Sequence, residues 1–299
     1  MSERSDPNLS NVSETLLLTL YLRAMESQRP DALIRDEKAV ALVKKIGNDG
    51  LYDFNRMRPL HLSEDNKLVI ILRNREFDRY AWDFLNRHPK AAVVHIGCGL
   101  DTRFERVDNG QVEWYDLDLP DVIGLRRKLI GGERERYHLV GCSVLDKTWL
   151  ETVAAHGQHP ILFMAEGIFM YFRGAQVKSL VLTLRDRFPG AELVFDAYSP
   201  IHVLRHNLQT STSKIYLHVS WGIWHGRAIE KWDTASPTGT ASPAGAGIRL
   251  LGEWGFFDDP TPRLAHIRWA RPIDALARTF RIYHFQLGEV ADIKGNGGV

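Results

Sequence analysis

A short apolar run, AAVVHI at residues 91–96, ends in a glycine-rich turn, GCGLDT at 97–102. A run of this length that stops at glycines is typical of a strand buried on both faces of a sheet. A second strand-like run over 112–118 ends in acidic residues, and Asp116 and Asp118 are both placed to accept hydrogen bonds from ribose hydroxyls. This arrangement of strand, Gly-x-Gly loop and strand-tip carboxylate indicates an α/β fold that binds an adenosine-containing ligand.

The loop itself indicates which adenosine ligand to expect. Gly97 and Gly99 let the backbone approach a ligand where a Cβ would collide. A dinucleotide fingerprint needs a third glycine, but Thr102 stands at that position, and Asp101 adds a negative charge where a pyrophosphate would sit. The loop therefore favours an adenosine without phosphates, and S-adenosylmethionine is the predicted cofactor.

The rest of the chain predicts a layered α/β architecture. Helical patterns cover about 13–25, 31–46 and 63–87 before the first strand. Strands are then predicted at 91–97, 112–118, 137–142, 160–166 and 191–197, with helices at 120–130, 146–156 and 174–188. Two later strands, at 248–257 and 280–288, are expected to pair antiparallel. The pattern predicts a doubly wound, mostly parallel, seven-stranded Rossmann-like sheet.

Two parts of the chain lie outside that alternation. Residues 1–90 are predicted to form an N-terminal helical cap that partly closes the ligand site, and residues 91–299 to form the core. An insertion at about 199–247, rich in aromatic and histidine residues at its start, follows the fifth strand and is expected to cover the cofactor end of the sheet. Residues 234–247 have loop composition.

Composition excludes several classes of protein. The 38 basic and 37 acidic residues nearly cancel, so a nucleic-acid partner is not expected. The cluster Arg126-Arg127-Lys128 is predicted to lie on the solvated face of a helix. The polar N-terminus and the lack of an apolar run near 18 residues predict a cytoplasmic protein with no membrane partner. Cys98 and Cys142 lack C-x-x-C spacing and are predicted to be free thiols, and the oligomeric state stays open.

Several motifs occur in the order that one family shows: an Arg-x-Arg helix before the first strand, GxGxDT, a strand ending in D-L-P, and E-G-x-x-x-Y. The chain resembles the leucine carboxyl methyltransferase family, especially its bacterial branch of tetracenomycin-type polyketide O-methyltransferases. The resemblance implies that Arg73 meets the methionyl carboxylate of the cofactor, with Arg75 as the rival position. It also implies that Gly97 and Gly99 form the floor of the site, that Asp118 binds ribose, and that Glu166 lies near the amino and sulfonium groups.

One departure from the family pattern bears on the acceptor. Where the family often has D-L-R-D after the third strand, this chain has Ser143-Val144-Leu145-Asp146. Ser143 can still bond the adenine edge and Val144 can pack on the ring, but Leu145 cannot bind a carboxylate. The resemblance further implies that Tyr171 lies near the acceptor.

The acceptor chemistry decides whether a base is needed. Methyl transfer is an in-line displacement, and a carboxylate acceptor is already anionic, whereas a hydroxyl needs a proton acceptor nearby. The candidate bases are the histidines of the insertion, His202, His206, His218 and His225. Trp221 and His206 are predicted to line a pocket for a flat apolar acceptor. No metal site is predicted.

The sequence therefore predicts an S-adenosylmethionine-dependent O-methyltransferase for a small-molecule acceptor, either a polyketide-like or aromatic hydroxyl or a carboxylate. The alternatives are a protein C-terminal carboxyl methyltransferase, which the leucine at position 145 disfavours, and a cofactor-binding protein that performs no methyl transfer. An NAD-dependent dehydrogenase is disfavoured by Thr102 and Asp101.

Overall fold

A computed structural model describes residues 14–55, 62–155, 157, 159–210, 218–234, 247–272 and 278–289. The helices are α1 Glu14–Ser27, α2 Glu37–Asn48, α3 Glu64–Arg87, α4 Arg103–Val107, α5 Pro120–Leu129, α6 Thr148–Ala154, α7 Gly174–Arg187, α8 Pro200–Thr210 and α9 Arg227–Glu230. The strands are β1 Ala92–Ile96, β2 Glu113–Asp118, β3 Tyr137–Gly141, β4 Ile161–Ala165, β5 Ala191–Tyr198, β6 Ile248–Gly255 and β7 Phe280–Leu287. Short 3-10 helices cover Phe169–Tyr171, Lys231–Thr234, Phe256–Asp258 and Pro262–Ala270.

The strands form one seven-stranded sheet in the order β3-β2-β1-β4-β5-β7-β6. The first five pair in parallel, whereas β7 runs antiparallel to both β5 and β6. This confirms the predicted doubly wound, mostly parallel architecture and the antiparallel pairing of the last two strands. The strand order reverses between β1 and β4, which is where ligands bind in such sheets.

Helices cover both faces of the sheet. The α6, α7 and α9 helices pack on one face, around Val94, Tyr115 and Phe163, and α3, α4 and α5 on the other, around Val93, Trp114 and Leu162. A third apolar cluster joins α1 and α2 to α5 and to Leu100 of the glycine loop. The N-terminal helices therefore lie against the loop that ends β1.

Helix α2 begins later than its sequence pattern predicts. The predicted helix over 31–46 starts at Glu37, because the carboxylate of Asp36 accepts a hydrogen bond from the Ala39 N–H at 2.8 Å and caps the helix there. It also continues through Gly47 to Asn48. Helix α8 lies within the insertion, whose imperfect periodicity did not predict it, and the predicted loop at 234–247 lies almost wholly outside the described residues. Among the described helices, none has the length and apolar character that crossing a membrane requires.

A buried ion pair at the amino-terminal end of β5 predicts how stability depends on pH. Burial by itself would raise the pKa of Glu192, but His284 and Arg87, which both bond its carboxylate, outweigh burial and lower the pKa to about 2. The carboxylate thus stabilises the fold above its unfolded pKa, and that contribution is lost as the pH falls toward 2.

Between pH 7 and pH 3 the free energy of unfolding should fall in both proteins. We expect it to fall by about 2 kcal/mol less in Glu192→Gln than in the wild type, since glutamine does not titrate. Urea unfolding of both proteins at the two pH values measures this difference. An identical pH dependence in wild type and variant would contradict the assigned ion pair.

Candidate functional site

The glycine loop after β1 has a backbone shape that only glycine accommodates. Gly97 and Gly99 both have positive φ angles, 69° and 50°. A Cβ at Gly97 would lie 2.4 Å from Cδ1 of Ile168, and one at Gly99 would lie 2.7 Å from Cδ2 of Leu16. The loop is therefore enclosed between helix α1 and the turn after β4, and its two glycines lie at the carboxyl end of the sheet as predicted.

Asp118 lies at the tip of β2 and is tied to this loop. Its Oδ2 accepts a hydrogen bond from the Gly99 N–H at 2.8 Å, and its Oδ1 accepts one from the Leu119 N–H at 2.7 Å. A carboxylate oxygen accepts two hydrogen bonds, so each oxygen keeps capacity for one ribose hydroxyl. This carboxyl group is partly buried, and the burial raises its pKa. Its chemistry fits the ribose-binding role that the sequence predicts.

Asp116, the alternative ribose ligand, points into the protein instead. It is 2% exposed and bonds Arg126, the Tyr137 hydroxyl and the Trp114 Nε1–H. Asp118 is therefore the carboxylate of this strand that a ligand can reach.

The predicted solvent exposure of Arg126 is wrong. Its side chain is 1% exposed, and its Nη1 donates to the carbonyl oxygens of Gly99 and Asp101, each at 2.7 Å. The neighbouring Arg127 and Lys128 are exposed as predicted. Because α5 packs its inner face under the glycine loop, one basic residue of the cluster faces inward and holds the loop from beneath.

Arg73 and Glu166 meet at the carboxyl end of β4. Arg73 Nε donates to Glu166 Oε1 at 2.9 Å, and the two side chains are 12% and 7% exposed. Among the described residues, neither terminal nitrogen of Arg73 has a hydrogen-bond acceptor, although Nη1 lies 3.6 Å from Asp196 Oδ2, so both nitrogens keep N–H groups for a ligand carboxylate. Arg75 points elsewhere and pairs with Asp259. The sequence left open whether Arg73 or Arg75 reaches the site. The structure places Arg73 at the end of the sheet where the glycine loop lies.

Glu166 is shared between two arginines. Its Oε2 accepts from Arg103 Nη2 at 2.6 Å while Oε1 bonds Arg73. Burial opposes ionisation, but the two guanidinium groups outweigh it and hold the pKa of Glu166 below its usual range. The carboxylate is therefore ionised, which its predicted place beside the cationic end of the cofactor requires.

These pairs belong to a larger cluster, which we call the arginine–carboxylate network. Its members lie on α1, α3, α4 and the loops and strand beside them: Arg23, Asp36, Arg73, Asp78, Asp101, Arg103, Arg106, Glu166 and Asp196.

The negative charge of Asp101, one of the predicted reasons for excluding a dinucleotide, is compensated within the network. Asp101 is 8% exposed and its carboxylate pairs with Arg103 at 3.0 Å and Arg106 at 3.1 Å, so it is neutralised within the protein. Thr102, at the position of the missing glycine, donates its hydroxyl proton to Asp36 instead of turning toward a ligand.

The turn after β3 lies beside Asp118. The Cys142 N–H donates to the Asp118 carbonyl at 3.0 Å, and half-buried Ser143 follows. Val144 is 7% exposed and packs in the apolar core, and Leu145 is 39% exposed. Ser143 and Val144 thus lie near the predicted adenine end, and their roles stay predictions.

The predicted acceptor residues occupy different environments. Tyr171 is 39% exposed beside the turn that contains Glu166, whereas Trp221 is 9% exposed and packs on Phe195 with ring centroids 5.9 Å apart. That position favours a core role for Trp221. His206 lies on α8 next to His202.

One histidine of the insertion, His202, contacts a residue beside the network. Its ring stacks on Tyr198 at 4.5 Å, and Tyr198 interacts electrostatically with Arg73 and Asp196. Burial and the neighbouring His206 and Arg205 lower the pKa of His202 to about 4. His218 and His225 are exposed. No cluster of three metal-ligating side chains occurs within the described part of the chain.

Three residues at this end of the sheet were not predicted from the sequence: Arg103, Asp196 and Tyr198. Asp196 carried a signal, because it interrupts the apolar run LVFDAY of a buried strand, where an acid is rarely tolerated without a partner. Arg103 directly follows the glycine loop, but nothing local indicates that it turns inward.

The chain is similar in sequence to known methyltransferases. A family model described as leucine carboxyl methyltransferase matches residues 17–185. The tetracenomycin polyketide synthesis O-methyltransferase TcmP of Streptomyces glaucescens is 33% identical over 270 residues, which are 89% of each chain. The S-adenosyl-L-methionine-dependent methyltransferase dpfgK of Gibberella zeae is 31% identical over 65% of this chain and 69% of its own.

Solved structures share the fold at low sequence identity. A crystal structure of a candidate methyltransferase from Thermobifida fusca has a TM-score of 0.53 at 15% identity and covers 90% of this chain and 94% of its own. A DUF574 family protein from Streptomyces avermitilis has a TM-score of 0.52 at 14% identity, covering 92% of this chain and 98% of its own.

Proposed function

Since this chain belongs to the leucine carboxyl methyltransferase family and is an S-adenosylmethionine-dependent methyltransferase, we propose that it transfers the methyl group to an oxygen of a small, aromatic or polyketide-like molecule. The observation that carries the proposal is the relationship with TcmP over 89% of both chains, because that relative is an O-methyltransferase of polyketide synthesis. The proposed cofactor ligands are those of the sequence prediction: Arg73, Gly97, Gly99, Asp118, Ser143, Val144 and Glu166.

The protein's part in the reaction is to hold and align the reactants. S-adenosylmethionine, when bound, would supply an electrophilic methyl group; the acceptor oxygen would bond to the methyl carbon in line as the carbon–sulfur bond breaks, and neutral S-adenosylhomocysteine would leave. Asp118 would accept hydrogen bonds from the ribose hydroxyls, Arg73 would bind the methionyl carboxylate through its terminal nitrogens, and Glu166 would complement the positive charges. The glycine loop at Gly97 and Gly99 would let the adenosine approach the backbone closely.

The acceptor side offers an uncharged histidine. With a pKa of about 4, His202 is neutral at physiological pH and accepts a hydrogen bond from an acceptor hydroxyl, but it is a weak base. A carboxylate or an acidic phenol requires no stronger base, so these are the acceptors that such a site serves best.

Exposed apolar side chains on the helix that follows β5 favour an apolar acceptor. Ile201, Leu204 and Leu208 lie along one face of α8 and are 58%, 62% and 68% exposed. Tyr171 adds a half-exposed aromatic ring. Leu145, in place of a guanidinium, disfavours the carboxyl terminus of a protein as the acceptor.

The proposal is tested with S-adenosylmethionine labelled on the methyl group. The protein is incubated with hydroxylated and carboxylated aromatic polyketides, their O-methylated forms, and a peptide ending in leucine. We expect label in a free polyketide acceptor and none in its O-methylated form. Mild base separates the products, since a methyl ester is cleaved and an aryl methyl ether is not.

Two outcomes would overturn the proposal. Transfer to the peptide alone would identify a protein carboxyl methyltransferase. Tight binding of S-adenosylmethionine with no transfer to any acceptor of the panel would identify a cofactor-binding protein.

A further inference from the structure

Asp196 is a buried carboxylate that is only half satisfied. It lies on β5 with 0% of its surface exposed, and its Oδ1 accepts the Gly167 N–H at 2.5 Å. Its Oδ2 is buried with no hydrogen-bond partner among the described residues, and the nearest cationic atom is Arg73 Nη1 at 3.6 Å. A polar oxygen left in this state is costly unless something compensates its charge.

The surrounding network does not compensate that charge. Within the described residues the network contains four arginines (Arg23, Arg73, Arg103 and Arg106) and five carboxylates (Asp36, Asp78, Asp101, Glu166 and Asp196). With all nine ionised, one negative charge is in excess. Arg126 and Asp116, packed next to it, pair with each other and leave the balance unchanged.

Asp196 is the carboxylate of the network whose negative charge is least compensated. The other four carboxylates each have at least one arginine nitrogen within 3.1 Å, whereas Asp196 has its nearest at 3.6 Å. Burial raises the pKa of Asp196 to about 6, with Arg73 and the Gly167 N–H opposing the rise and Glu166 adding to it. Asp196 is thus the member of the network that is least stable as an anion.

The methyl donor and its product differ in charge at the sulfur atom. S-adenosylmethionine carries one net positive charge, from a carboxylate, an ammonium and a sulfonium, whereas S-adenosylhomocysteine, with a neutral thioether, carries none. We propose that Asp196 supplies the uncompensated negative charge by which this site prefers the sulfonium donor over its thioether product. The inference rests on S-adenosylmethionine as the cofactor and is independent of the acceptor.

The effect is electrostatic and needs no direct contact. A unit charge in a largely buried site at an effective dielectric near 20 still contributes about tenfold in affinity several ångströms away. Across the network the other four carboxylates balance the four arginines, so the uncompensated charge near the cofactor's cationic end is that of Asp196.

The test compares ligands that share the adenosine and the amino-acid group and differ in charge at the position of the sulfonium. Calorimetry at pH 7.5 measures the binding of S-adenosylmethionine, S-adenosylhomocysteine and sinefungin, in which a protonated amine replaces the sulfonium. We expect Asp196→Asn, which keeps the shape and the acceptor for Gly167, to weaken the two cationic ligands roughly tenfold and S-adenosylhomocysteine less than about twofold. The matched control is Glu192→Gln, on the same strand about 13 Å away, and it should leave the ratio unchanged.

A pH series on the wild type gives a second, independent measurement if Asp196→Asn does not fold. The groups that face Asp196 are Arg73 on α3, Glu166 after β4, Tyr171 and Tyr198. None of these four titrates between pH 5 and pH 7.5, whereas Asp196 does, because its pKa is about 6. The preference for sinefungin over S-adenosylhomocysteine should therefore fall as the pH drops from 7.5 to 5. Asp118 contacts the ribose common to both ligands and cancels from the ratio.

Equal weakening of all three ligands by Asp196→Asn would assign Asp196 a structural role at the Gly167 turn and overturn the inference. An unchanged ratio, in the variant or across the pH series, would do the same. Failure of the wild type to bind any of the three would instead overturn the cofactor assignment.

Discussion

Arg126→Met is expected to lower the free energy of unfolding by about 3–5 kcal/mol. The substitution keeps the length and apolar stem of the side chain, but it leaves the buried Asp116 carboxylate without its guanidinium partner. It also removes the donor to the carbonyl oxygens of Gly99 and Asp101, which lie 2.7 Å from Arg126 Nη1. Urea unfolding followed by fluorescence measures the change. The midpoint urea concentration should fall, with little change in the slope of unfolding free energy against urea concentration.

The adjacent residue provides the control. Arg127 is exposed, and its one ion pair within the described part of the chain is with exposed Glu133 at 3.0 Å, so Arg127→Met should change stability by less than about 0.5 kcal/mol. A similar loss in both variants would show that Arg126 does not hold the glycine loop.

Asp118→Ala is expected to weaken S-adenosylmethionine binding roughly 100-fold, since two hydrogen bonds from ribose hydroxyls to a charged acceptor are lost. The Gly99 and Leu119 N–H groups lose their acceptor as well. A ligand at 100 times its dissociation constant stabilises the wild type by about 2.7 kcal/mol, and a 100-fold loss of affinity lowers this to about 0.4 kcal/mol. Unfolding with and without ligand measures the difference.

The same substitution separates the ribose site from the charge effect of Asp196. Asp118→Ala should weaken S-adenosylmethionine and S-adenosylhomocysteine equally, because both carry the ribose. Asp121→Ala, at an exposed position three residues further on in α5, should leave both affinities unchanged. Retention of full affinity by Asp118→Ala would exclude Asp118 as the ribose ligand.

The sheet was predictable because its signals are local. Each inner strand is a short apolar run bounded by a turn, and the observed strands lie within one or two residues of the predicted ones. Helix α2 shows the limit. Its apolar pattern extends back to residue 31, but the helix starts where Asp36 caps Ala39, and Asp36 is held in place by Arg23 and Arg106 from other helices.

The candidate site divides in the same way. Gly97, Gly99 and Asp118 follow from one strand, one loop and the next strand, so their proximity is implied by parallel pairing. Arg73 entered through the family resemblance, because it lies within a helix, 24 residues before Gly97, and nothing local shows which side chain of that helix reaches the site. Asp196 was missed although it stands in an apolar strand.

By itself the sequence determined the order of the strands and of the longer helices outside the insertion, the parallel sheet, the glycine loop and the family, because backbone preference and apolar periodicity act over a few residues. The tertiary structure alone decided which charged groups are buried and with which partners. Arg126 and Arg127 are neighbours in sequence, yet one lies under the loop and the other faces solvent. Arg75 pairs with Asp259 and Arg73 with Glu166, across long stretches of chain. Such pairings depend on how the helices pack on the sheet, and packing brings together residues that have no local relation.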